Sequence, residues 1–189
     1  MVDMKIVAVP SDQFTFQKEQ LWIYIICLAS CIMYIVVAYA ITMRIRMQVF
    51  DRKFMEQFDK EHAEAFGTEG FGSSKQAPEF GFPDSGNGRF AKKLPYADWF
   101  RMNNGQRCQV NFLEHITFAI LGPVVGGFAY AWWGLGCAIL IFVGRLIFTI
   151  GYSIGGPGWR IPGALLMDLG LFASFILLMI ASIKLGVNQ

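Results

Sequence analysis

Apolar residues in this chain are gathered into long uncharged runs, not spread at the periods of half-buried strands or surface helices. Leu21 to Thr42 carries no charge, and from Val110 to Ile183 the only charged side chains are Glu114, Arg145, Arg160 and Asp168. About 20 helical residues cross the hydrocarbon of a bilayer. Turn signals at Ala131-Trp132-Trp133-Gly134 and Gly155-Gly156-Pro157-Gly158 divide the second run. The pattern predicts spans at 21–43, 110–130, 133–153 and 161–184. The runs hold helix formers without sustained two-residue alternation, which argues against a transmembrane barrel. The first run is too long for a signal-peptide core, follows Asp12, Lys18 and Glu19, and precedes no small-residue cleavage site, so it reads as a retained span.

The predicted fold is therefore all-α: an integral membrane four-helix bundle in one domain, 1–189, with a long polar loop at 44–107 between helices 1 and 2. Short connections among the last three helices imply antiparallel neighbours. Gly122-Pro123 is expected to kink the second helix. In the loop, Phe50 to Phe66 reads as an amphipathic helix lying on the membrane surface or a partner. Gly67 to Gly88, rich in Gly, Ser, Pro and Phe, reads as irregular.

Composition agrees with this picture: 54% of residues are hydrophobic and only 16% charged, beyond the usual apolar share of soluble domains. A net charge of +2 gives no case for nucleic acid. The basic residues add an orientation. Arg44, Arg46, Arg52 and Lys53 follow the first span, Lys92, Lys93, Arg101 and Arg107 approach the second, and Arg160 lies between the third and fourth. Weighed against Lys5, Lys18 and Lys184, they place both connections inside and the termini outside. Arg107 and Arg160 then share one side of the membrane.

Candidate chemistry is confined to a few polar side chains. Arg107, Asn111 and Glu114 spell R-x-x-x-N-x-x-E, a spacing that puts all three on one helix face at a membrane entry. Such groups are costly there unless they pair or hold a polar ligand. Arg145 is expected to pair with a carboxylate, Glu114 or Asp168, and Arg145–Asp168 is favoured as a structural ion pair. Phe148 and Tyr152 continue the face of Arg145. Tyr152 also suits an interfacial aromatic belt, as do Trp132, Trp133 and Trp159, and Arg160 suits a positive-side anchor. Cys27, Cys31 and Cys137 read as small packing residues and Cys108 as a bystander. His62 and His115 lack companions at ligand spacing, so no metal is expected.

Together, RCQVNFLEHI from Arg107 to Ile116, GRLIFTIGY from Gly144 to Tyr152, then Arg160, resemble the MAPEG family, membrane-associated proteins in eicosanoid and glutathione metabolism. VVAYAITMRIRMQVF resembles that family's first helix and its basic exit. The likeness covers the first span and the chain from about Asp98 onward, and leaves out the long loop. It implies a homotrimer holding glutathione between protomers on the inner side. Arg107, Asn111, Glu114, Tyr152 and Arg44, with Arg46 as an alternative, would bind glutathione, with His115 beside them. Arg160 would stabilise its thiolate as the catalytic residue. Two carboxylates and an amine on glutathione complement arginines and one glutamate, and a guanidinium near sulfur favours the nucleophilic thiolate.

The chain also departs from that pattern. His115 stands where many members have tyrosine, Phe148 where they have tyrosine or histidine, and Arg160 lies in a Gly- and Pro-rich loop. Two function classes follow. One is a glutathione transferase or peroxidase acting on lipophilic substrates from the lipid bilayer. The other is a structural subunit among unrelated membrane subunits of a large complex. The membrane expected is that of the endoplasmic reticulum or the mitochondrial inner membrane.

Overall fold

The computed structural model describes residues 17–67 and 75–187. Lys5, Asp12, the part of the expected irregular stretch at 68–74, and the side chain of Lys184 lie outside the described residues. Four helices are long and apolar enough to cross a membrane: α1 (Lys18–Val49), α4 (Tyr96–Ala129), α5 (Ala131–Gly155) and α6, assigned as Ile161–Val187. Two short helices, α2 (Arg52–Met55) and α3 (Asp59–Phe66), lie between the first two spans. No strand occurs among the described residues.

The apolar faces point outward, as the bilayer requires. Leu28, Leu165 and Phe172 are each more than 60% exposed. With lipid as apolar as leucine, helix association relies on close packing through small residues. At the crossing of α5 and α6, a Cβ on Gly144 would fall 2.4 Å from the Met167 nitrogen, and one on Gly163 2.2 Å from the Phe148 nitrogen. The two backbones therefore touch, which fixes Phe148 and Tyr152 relative to the start of α6.

Helix ends depart from the expected spans for a consistent reason: hydropathy marks where the membrane ends, not where the helix ends. Arg44 to Val49 continues α1 after a π-helical segment, Val37–Met43, and α4 begins at Tyr96, well before Val110. The connection is thus 50–95, shorter than the polar loop 44–107. Trp132, Trp133 and Gly134 lie inside α5, and the break falls at Tyr130 instead. Pro123 is accommodated within α4 without ending it. The turn at Gly156 is present, with φ of +76°.

The amphipathic helix expected at 50–66 is also revised. Asp51 accepts from the Phe54 nitrogen at 2.8 Å and caps α2, a 3-10 turn at Glu56–Phe58 interrupts the course, and α3 then runs to Phe66. Phe50, Met55 and Phe58 pack on Ala77, Ala91 and Met102, so the loop closes over its own core. Two buried polar groups hold it. Arg46 donates to the carbonyls of Gly81 and Asp84 and stacks over Phe82, 4.0 Å from its centroid. Asp84 accepts from the backbone nitrogens of Gly86, Gly88 and Ala91, each at 2.8 Å.

Burial alone would raise the Asp84 carboxyl, but the surrounding N–H donors outweigh it and hold the group below its ordinary value. A depressed carboxylate stabilises the fold above its unfolded pKa, about 3.9, and that contribution is lost as pH falls through the folded value. The loop is expected to become sensitive to limited proteolysis only below about pH 4. Asp84→Asn, which places an amide NH2 among N–H donors, should make it sensitive at neutral pH, at a cost of about 1–3 kcal/mol. Equal protease resistance of variant and wild type would refute this.

Candidate functional site

The site lies where the charged ends of α1 and α4 meet the α5–α6 turn. Thr42 donates to the Gly105 carbonyl at 2.9 Å, joining α1 to α4, and a Cβ on Gly156 would sit 3.4 Å from the Asn104 amide nitrogen. Arg44, Arg107 and Arg160 thus share one end of the bundle.

Inside that end a polar and aromatic chain crosses the interior. Arg145 is buried at 3% exposure. Its Nη1 donates to Asn111 Oδ1 at 2.7 Å and its Nη2 to the Asn111 carbonyl at 3.4 Å. Its guanidinium lies 4.6 Å from the Phe112 centroid and 5.0 Å from that of Phe148. Arg160 lies 5.9 Å from the Phe148 centroid and 5.3 Å from that of Tyr152. Phe148 therefore contacts two arginines through its ring.

The expected ion pair of Arg145 with Asp168 is not formed, since no described ion pair includes either residue. A charge-assisted hydrogen bond is worth about 1.5–3 kcal/mol, and each ring contact about 0.5–2. Together they meet or exceed the roughly 2.5–3.5 kcal/mol cost of an arginine at membrane depth. Asp168, half-buried on α6, acts on Arg145 only as a more distant charge.

The remaining expected residues divide by exposure. Arg44, Arg107 and Glu114 are exposed and Asn111 is half-buried. Arg107, Asn111 and Glu114 share an open face of α4, and Arg107 and Glu114 form no ion pair among the described residues. His115 is half-buried, with Nδ1 2.7 Å from the Asn111 carbonyl. It faces a small internal space that Ser30 and Arg145 also line. Tyr152 is buried beside Phe112, Cys108 and Val37. Arg46, the alternative to Arg44, is committed to the loop carbonyls. Cys27, Cys31, Cys108 and Cys137 are free.

Arg160 is held by local geometry. Gly156 turns the chain, the Trp159 nitrogen donates back to the Gly156 carbonyl at 3.2 Å, and the Arg160 carbonyl accepts from Ala164 at 2.9 Å in the first turn of α6. A guanidinium attracted to ring faces makes no hydrogen bonds to them, which leaves its N–H groups available to an anion. Nearby, a cleft of about 410 Å³ opens between α1, α4 and the loop, with Tyr34, Tyr39, Thr42, Gln106 and Gln109 in its walls. Sequence reasoning missed the ring contacts of Phe112 and Phe148 and the Arg145–Asn111 bond. The i, i+3, i+7 spacing of Arg145, Phe148 and Tyr152 was the available signal.

Four apolar helices with a polar constellation at one end define a multi-pass integral membrane protein of the helical-bundle class. The model of the MAPEG family matches residues 22–180. The chain belongs to that family. No curated protein and no solved structure gives a significant match.

Proposed function

We propose that this protein is a glutathione-dependent transferase or peroxidase acting on lipophilic substrates. In this reading it is a homotrimer in the endoplasmic reticulum or mitochondrial inner membrane. The observation that carries the reading is the open face of Arg107, Asn111 and Glu114. Glu114 uncovered at membrane depth costs a few kcal/mol. A second copy closing that face around a ligand bearing carboxylates and an amine would remove the cost and pair both charges. Arg44 adds a second cation at the same end, and Arg160 places guanidinium N–H groups beside Tyr152, where an anionic sulfur would be stabilised.

Calorimetry of the detergent-solubilised protein with glutathione tests this. Saturable binding is expected, with Arg107→Ala weakening it about 10- to 150-fold, as loss of a charged hydrogen-bonded contact implies. Absence of binding to a well-folded sample would sink the reading. It would favour the structural-subunit alternative, which is supported by Phe148, a side chain unable to hydrogen-bond a peptide ligand.

A further inference from the structure

We infer that Arg145 is a positioning residue that fixes the amide of Asn111 so that this side chain acts only as a donor toward the bound peptide. The inference rests on the glutathione reading above and adds to it the direction in which one contact must run. Asn111 stands between Arg107 and Glu114 on the open face of α4, with one side chain able to donate or accept. Rotation about its last torsion would exchange those roles, and that torsion is ordinarily soft. Here Arg145 Nη1 occupies Asn111 Oδ1 at 2.7 Å. An arginine carries only donors, so the oxygen must face it and the NH2 must face elsewhere. Arg145 is itself restrained, stacked on Phe112 and Phe148 at 4.6 and 5.0 Å and bound to the Asn111 carbonyl as well.

Two consequences follow. The Asn111 amide presents N–H groups, which recognise a carboxylate or peptide carbonyl and reject a donor. Phe148 also gains a role: its ring holds the arginine that sets Asn111, which needs no hydrogen-bonding group. His115 is excluded as the orienting group because its ring nitrogen meets the Asn111 backbone carbonyl, not the side chain.

The test is a mutant cycle read in two ways. Asn111→Ala, Arg145→Met and the double variant are titrated with glutathione, beside Arg145→Lys. Arg145→Met is expected to weaken binding about tenfold, the effect of losing one oriented hydrogen bond. It should add nothing in the Asn111→Ala background, and Arg145→Lys should restore part of the loss. Equal weakening in both backgrounds would overturn the inference. The second reading needs no glutathione: the side-chain NH2 resonances of Asn111, assigned by their loss in Asn111→Ala, should be distinct in wild type and broadened or shifted in Arg145→Met. Unchanged resonances overturn the positioning role even if glutathione binds. Absent glutathione binding with the predicted resonance change would instead sink the ligand and keep the orientation.

Discussion

Gly163→Val is expected to abolish the folded bundle, whereas Gly136→Ala on the preceding helix should be nearly silent. The atoms that a side chain at Gly163 would meet are backbone: the Phe148 nitrogen at 2.2 Å, its Cα at 2.6 Å and the Gly144 carbonyl at 2.7 Å. None can turn aside as a side-chain tip would. Relief requires α5 and α6 to separate, which gives up the packing that joins them. Overpacking a core ordinarily costs about 1–3 kcal/mol. A branched side chain driven into backbone at a helix crossing belongs to the larger class, above about 4 kcal/mol. Gly144→Val should behave alike, because its Cβ would meet the Met167 nitrogen at 2.4 Å. Gly136 has open space around it, so alanine there changes little beyond helix propensity. Thermal unfolding in detergent, with size-exclusion profiles, distinguishes them. A Gly163→Val sample melting within a few degrees of wild type would refute the backbone-contact picture.

The four spans were legible because the bilayer imposes one simple demand, an uncharged stretch of sufficient length. The chain meets it plainly at Leu21–Thr42 and after Val110. What lies above the membrane obeys other rules. Phe50, Met55 and Phe58 read as a surface-lying face because nothing in their spacing reveals Ala77, Ala91 and Met102 as cover. Asp51 was the overlooked punctuation, an N-cap that restarts the helix. The site was half legible for a related reason. Helical spacing put Arg107, Asn111 and Glu114 on one face, as α4 confirms, but contacts between helices are not written in spacing. The expectation that a buried arginine needs a carboxylate overlooked a pairing available within its own surroundings, one amide and two ring faces.

Arg160→Ala is expected to leave glutathione binding within about threefold of wild type while lowering turnover about 10²–10³-fold, as loss of one preorganised charge-stabilising donor does. The split follows from position. In the proposed function Arg107, Asn111 and Glu114 would hold the peptide on α4, whereas Arg160 stands at the start of α6 against Tyr152, 5.3 Å from its ring centroid. Its effect should fall on the sulfur, where charge gathers before attack on an electrophile. The same logic predicts a spectroscopic sign. A guanidinium beside the thiol favours the thiolate, so glutathione bound to wild type should ionise below the ordinary thiol value of about 8.5. In Arg160→Ala that ionisation should move upward, costing about 1.4 kcal/mol for each unit. Arg160→Lys should recover part of it, since the charge stays while the planar guanidinium fork beside Phe148 and Tyr152 is lost. Thiolate ultraviolet absorbance, titrated against pH at saturating glutathione, reads this directly. Superimposable titration curves for wild type and Arg160→Ala would remove Arg160 from the chemistry and leave it as an anchor on the positive side of the membrane.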